Sequence, residues 1–179
     1  MIDKKCKMSL MFILLATTPL AFSATNSETV MVSMSGSIQP SICTATVQPT
    51  LTLGNIDEGD LTDSANAASS KSKTQMHIAF NGCEEGQNIQ VSIHGTADTY
   101  DANIMANATG SEKSQNIGLA FLDSTNTLMA INTGKSPTVS ATGGNASIDL
   151  DAIVVKANSS QAVTIGQADF TGQVKIDYL

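Results

Sequence analysis

Val163-Thr-Ile-Gly-Gln-Ala-Asp-Phe-Thr-Gly-Gln-Val-Lys-Ile-Asp-Tyr-Leu179 is the stretch whose reading decides the fold. Ala168, Phe170, Gly172, Val174, Ile176 and Tyr178 fall on one face of an extended chain, and Asp169, Thr171, Gln173, Lys175 and Asp177 on the other. Successive side chains of a strand point to opposite faces, so this period of two predicts a half-buried strand. Chain ends are poorly ordered unless tied down. A strand this regular so late in the chain is therefore expected to pair with earlier strands or to border a gap that another segment fills.

A second alternating stretch lies near the other end. Val30, Val32, Met34, Gly36 and Ile38 alternate with Met31, Ser33, Ser35 and Ser37, and Pro40 then stops regular pairing or confines it to an edge. Ahead of it, Lys4, Lys5 and Lys7 precede an apolar run from Leu10 to Leu15, followed by Ala21-Phe22-Ser23. This is the pattern of a secretory signal peptide cleaved after Ser23, with an apolar run too short to span a bilayer. Residues 1–23 are thus expected to be a leader, and Cys6 to be lost with it.

The two cysteines that remain, Cys43 and Cys83, read as a disulfide in an exported chain. A metal pair is the alternative, but two lone cysteines so far apart lack the spacing of a ligand set. The 179-residue chain has no arginine, and nine lysines stand against sixteen acids. Removing the leader leaves six lysines against fifteen acids, a net charge of −9. A nucleic-acid binder needs a basic footprint, so that class is excluded. The acidity reads as solubility outside the cell.

Between the two alternating ends the pattern is one of short strands. Cys43–Val47, Leu51–Ile56, Gln75–Cys83, Ile89–Ile93, Ile117–Phe121, Leu128–Ile131 and Ile148–Val154 alternate or run apolar. They are separated by turn formers: Asp57–Asp60, Asn81-Gly82, Gly143-Gly144 and Asn158–Ser160. Ser64–Ser72 reads as a loop, and Thr96–Ser114 as a loop with a short element at Ile104-Met105. No stretch reads as a helix. Seven to nine short strands predict an all-β sandwich in the immunoglobulin-like range, without the buried tryptophan of antibody domains.

These residues resemble the pilin subunits of the chaperone–usher fimbriae of Gram-negative bacteria, over almost the whole chain after the leader. Gly36 lies seven residues before Cys43, as in the G-x-[apolar]-x-x-x-x-C pattern of that family. Phe80-Asn-Gly-Cys83 followed by Ile89-x-Val91-x-Ile93-x-Gly95 resembles its second-cysteine segment, and Asn116–Asp123 a strand that follows a variable loop. Gly166, fourteenth from the C-terminus, and the penultimate Tyr178, with apolar alternation between, resemble the family's chaperone-recognition signature.

The resemblance implies an incomplete immunoglobulin-like β-sandwich lacking its last strand, completed by donor-strand complementation. It implies three regions: the signal peptide at 1–23, an N-terminal donor-strand extension at 24–37, and the pilin domain at 38–179. In that scheme Val30, Val32, Met34, Gly36 and Ile38 form the donor strand. Gly166, Ala168, Phe170, Gly172, Val174, Ile176 and Tyr178 border the groove and bind the chaperone. The implied partners are a periplasmic chaperone, an outer-membrane usher and neighbouring pilin subunits, with export through the periplasm to a surface fimbria. One residue departs from the pattern: Val30 stands where donor strands of the family often carry a glycine.

No cofactor or catalytic set emerges. His77 is out of phase with Met76 and Ile78 and reads as solvent-facing. Asp57, Glu58, Asp60 and Asp63 do not have calcium-loop spacing and read as a solvated turn. Asn107-Ala-Thr, Asn145-Ala-Ser and Asn158-Ser-Ser fit the glycosylation pattern by chance composition. No G-x-S-x-G is present, and no enzyme is expected. Two function classes remain: a structural fimbrial subunit working by donor-strand exchange, or a binding module, either an adaptor or tip subunit or a secreted sandwich recognising a host ligand. The donor-like Val30–Ile38 stretch and the absence of a second, lectin-like domain favour the structural subunit.

Overall fold

Apolar residues at every second position build the two longest strands and pair them. In the computed structural model, which describes residues 43–47 and 50–179, Met76, Ile78 and Phe80 are buried on β2 (Lys73–Asn81), and Ile148, Leu150, Ala152 and Val154 on β8 (Asn145–Lys156). The two run antiparallel from Lys73↔Ile153 to Asn81↔Asn145. The expected leader and the Val30–Ile38 stretch lie outside the described residues.

The other strands are β1 (Thr44–Val47), β3 (Asn88–Gly95), β4 (Met105–Ala106), β5 (Ile117–Leu122), β6 (Leu128–Met129), β7 (Val139–Ser140) and β9 (Gly172–Tyr178). One sheet has the order β1-β2-β8-β5-β4, with β6 also on β5; the other has the order β7-β3-β9. Every strand pair is antiparallel. Ile89, Val91 and Ile93 of β3 face the inner residues of β2, β5 and β8 to form the core between the sheets. This is the all-β sandwich that the sequence predicts.

The predicted disulfide is formed between Cys43 and Cys83, forty residues apart, and both cysteines are buried. It joins the chain entering β1 to the chain leaving β2, at the end of the sandwich where Thr44 pairs with Asn81. Turns fall where glycine and asparagine place them. Gly82, Gly143 and Gly144 take positive φ (71°, 59° and 78°), which a side chain would oppose.

Three segments differ from the sequence reading. Leu51–Ile56 forms no strand: Leu51, Leu53 and Ile56 still turn inward, but no neighbouring strand supplies a ladder. Ser64–Ser69 is a 3-10 helix rather than a loop, capped by Asp63, whose carboxylate accepts from Asn66 N at 2.9 Å. Its Ala67 covers a second apolar cluster of Ile104, Ala120, Leu122, Ile153 and Val155 on the outer face of the larger sheet, which is why β5 is buried on both faces. The short strand β7 has no apolar alternation and is held by two residue pairs with β3.

The two histidines are accounted for by local partners. His77, exposed on β2, meets the carboxylate of its cross-strand partner Asp149 at 2.6 Å, and His94 bonds Ser92 at 3.0 Å. Within the acidic stretch, Glu58–Asp60 forms a short 3-10 turn and Asp63 is the cap described above.

Candidate functional site: an open groove beside the last strand

β9 has one strand neighbour among the described residues. It pairs with β3 from Gly95↔Gly172 to Ile89↔Tyr178, and its other edge meets no strand. Val174, Ile176 and Tyr178 pack on the core yet remain only half-buried, as a strand does when one flank is uncovered. An unpaired edge of this kind presents a row of free backbone donors and acceptors.

The opposite edge of the same sheet is closed. Beyond β7, the segment after Ile131 lies along β3 and uses side chains in place of a ladder. The Asn132 carboxamide bonds both Gly95 N and Gly95 O at 3.1 Å. Ser136 Oγ accepts from Val91 N at 3.0 Å, while Ser136 N donates to Val91 O at 2.8 Å. Among the described residues, β9's is the edge of this sheet that no other segment covers.

A groove with an apolar floor begins beside the start of β9, in two adjoining parts that share Leu51, Leu53, Ala168 and Asp169. The wide part, about 830 Å³, lies between Leu51–Ile56 on one wall and 163–169 on the other, over Ile117 and Val154. The narrower part, about 420 Å³, continues between Val47, Thr50, Leu51 and Leu53 on one side and 168–174 on the other, over Met76, Ile93, Met105, Leu119, Phe121 and Ala152. Core residues of both sheets thus form the floor of an open cleft. The floor is apolar while the rims carry polar side chains such as Asn55, Glu58, Gln167 and Asp169, so the cleft offers both kinds of contact.

The structure brings most of the expected groove-strand residues to this cleft. Gly166 and Ala168 line the wide part, and Ala168, Phe170, Gly172 and Val174 the narrow part. Ile176 and Tyr178 lie past its end, where the Tyr178 hydroxyl donates to Cys43 O at 3.1 Å. The regular strand begins only at Gly172, because the backbone of 164–169 is bonded to residues 108–115 instead of β3. The Val163–Leu179 stretch is therefore a strand in its second half and a loop-bound rim in its first.

Three glycines permit close approaches. A Cβ on Gly172 would lie 2.8 Å from His94 O and 2.4 Å from Met105 Cε, and one on Gly95 2.7 Å from Met105 Cε, so the two glycines leave room for the Met105 side chain beneath both strands. A Cβ on Gly166 would lie 2.4 Å from Ser114 N. Sequence reading found Gly166 and Gly172 by pattern, but not Met105, nor Leu51, Leu53 and Ile56 as the second wall. The lone alternation of Leu51 and Leu53 before Gly54 (φ 70°) is the signal that was present.

Residues 32–179 match the family model described as fimbrial protein. No curated protein matches the chain in sequence. Among solved structures, it is similar to the Burkholderia pseudomallei antigen and type I fimbria protein BPSL1626, at 16% identity over 76% of this chain and 94% of that one, with a TM-score of 0.56. It is similar to the P pilus rod subunit PapA at 11% identity, over 78% of this chain and 100% of that one, with a TM-score of 0.60. A chaperone–usher pilus whose structure concerns rod uncoiling matches at 12% identity, over 86% of this chain and 97% of that one, with a TM-score of 0.58. At such identities these likenesses show the fold, that of pilin sandwiches. The family match covers most of the chain, and the chain belongs to the fimbrial protein family.

Proposed function

We propose that this member of the fimbrial protein family is a structural subunit of a bacterial surface fimbria, assembled on the chaperone–usher route by donor-strand exchange. The observation that carries the reading is the free edge of β9 with an apolar-floored groove beginning beside it. A strand laid there would take up β9's unpaired backbone groups and place alternate side chains on the floor, the mode in which main-chain bonds give affinity and pockets give specificity.

In this reading residues 1–23 are a leader, 24–37 an extension, and Val30, Val32, Met34, Gly36 and Ile38 the alternating face that enters a neighbouring subunit. A periplasmic chaperone fills the groove first, and exchange at an outer-membrane usher replaces it with that extension. Burial of Val30, Val32, Met34 and Ile38 contributes on the order of 6–12 kcal/mol, at about 1.5–3 kcal/mol each. Each added backbone bond contributes about 1 kcal/mol more. Such a sum suits a durable polymer. Possession of a donor-like segment also favours a place within the fibre over one at the tip, where no groove lies ahead to be filled.

The test compares thermal melting of the chain from Ala24 with a form in which Ala24–Gln39 is moved past Leu179 through a short flexible linker. A sharply higher melting temperature in the second form supports a sandwich that lacks a strand its own extension supplies. Equal melting of two monomers would overturn it and leave a secreted binding module.

A further inference from the structure

The wide part of the groove takes its shape from a loop, not from the sheet. Upstream of Gly172 the wall is fastened to residues 107–115 by a dense set of bonds. The Asn107 carboxamide makes three of them: Nδ2 donates to Ser114 O at 2.7 Å and Gln167 O at 3.1 Å, and Oδ1 accepts from Asp169 N at 2.7 Å. Lys113 Nζ donates to Gln167 Oε1 at 2.7 Å and pairs with the Asp169 carboxylate. Backbone bonds run alongside, from Ser114 N to Gln167 O at 2.9 Å and from Ala108 N to Asp169 O at 2.9 Å. Gly166 lets the two segments meet at this distance.

We infer that Asn107 and Lys113 are positioning residues for the incoming strand. They fix how far the wall at 164–169 stands from Leu51–Ile56, and so make the loop 107–115 the element that sets what fits the wide part of the groove. The inference rests on the donor-strand reading and adds to it a determinant outside both walls. The chemistry favours a set distance over a soft one. A carboxamide using both its donor hydrogens and its acceptor oxygen holds three backbone groups in one geometry, and its removal takes this partner from Ser114 O and Asp169 N at once, while Gln167 O keeps its bond from Ser114 N. The Lys113–Asp169 pair is partly exposed and screened by salt, so it trims the geometry rather than creating it.

The test uses the same two forms, the chain from Ala24 and the form with Ala24–Gln39 moved past Leu179, each as wild type, Asn107→Ala and Lys113→Gln. The quantity read is the rise in melting temperature that the moved segment brings. In wild type the rise is large, and high salt reduces it slightly. Asn107→Ala is expected to cut the rise by about half. Lys113→Gln is expected to cut it less and to abolish the effect of salt. If both forms of each variant lose the same number of degrees, leaving the rise unchanged, the loop is a stabilising contact with no part in setting the groove, and the inference fails. A wild type that shows no rise overturns the donor-strand reading itself, an outcome separate from the first. Should Asn107→Ala fail to fold, the surface change Lys113→Gln decides, because its rise either falls with its salt dependence or stays that of the wild type.

Discussion

The hydroxyl of Tyr178 donates a hydrogen bond to the backbone carbonyl of Cys43 at 3.1 Å. This single contact joins the end of β9 to the chain entering β1, beside the buried disulfide. Leu179 is held at the same end, its N–H donating to Asn88 O at 2.9 Å and its carbonyl accepting from Gln87 Nε2 at 3.0 Å. The end of β9 is therefore tied down beyond the groove, which stays open between Leu51–Ile56 and 163–169. Tyr178→Phe keeps the ring and loses the bond. It is expected to cost about 1 kcal/mol, read as a drop of about 2–4 °C in melting temperature. Tyr178→Asp places a carboxylate against the core where β9 meets Ile89, and under the proposed donor-strand scheme is expected to abolish co-purification with a periplasmic chaperone. Undiminished co-purification would show that the end of β9 is not part of the chaperone's footprint.

Val32→Asp separates giving a strand from receiving one. In the proposed scheme the extension acts only on a neighbour, and the chaperone acts only on the groove. The variant is expected to form a normal chaperone complex and to fail in polymerisation, because a charge would have to enter an apolar floor. Chaperone pull-down and size analysis of the assembled fibre check the two halves. Loss of the chaperone complex would mean that residue 32 contributes to the subunit's own fold.

Cys43→Ser tests the closure of the sandwich. The bridge spans forty residues of sequence, and a loop of that length lends about 4 kcal/mol by restricting the unfolded chain. That is a large part of the stability of a typical domain. Periplasmic yield of the variant is expected to fall severalfold. Full yield would mean that the core of β2, β5 and β8 suffices without the bridge.

The strands that the sequence disclosed are those whose two faces meet different surroundings. Met76, Ile78 and Phe80 alternate because one side of β2 faces the core and the other solvent, and Ile89, Val91 and Ile93 of β3 alternate with the polar Gln90, Ser92 and His94 on its other side. Alternation failed as a guide where an extended segment has inward and outward sides but no ladder. Leu51–Ile56 carries the pattern of a strand and lacks a partner, and 164–169 takes its backbone bonds from a loop. Nothing in local residue preference tells these cases apart, since the difference is the presence of a neighbour. Conversely, β7 is a strand by pairing alone, and Met105 enters the groove floor where two glycines distant in sequence leave room for it. Of the residues picked out by resemblance, Gly166 lines the wide cleft and Tyr178 lies beyond it, while the facing wall at Leu51–Ile56 and the loop behind 164–169 needed coordinates.

Acid should loosen the outer side of β9 before it touches the core. The Asp177 carboxylate lies below the ordinary carboxylate range because Lys135 donates to it at 2.8 Å and Lys175 at 3.0 Å. Lys135 belongs to the segment that covers the far edge of β3, so this pair fastens that segment across the sheet to β9. A carboxylate whose folded pKa is depressed stabilises the fold above its unfolded pKa, and that contribution disappears as pH falls through the lowered folded value. Wild type is therefore expected to melt slightly above Asp177→Asn at neutral pH, with the difference shrinking below the ordinary carboxylate range and vanishing once the native carboxylate is protonated. The comparison is a series of melting curves from neutral to strongly acidic pH at low salt, repeated at high salt, which should shrink the difference throughout. A gap between the two proteins that stays constant down to the lowest pH would show that Asp177 acts through its shape and hydrogen bonds, not its charge.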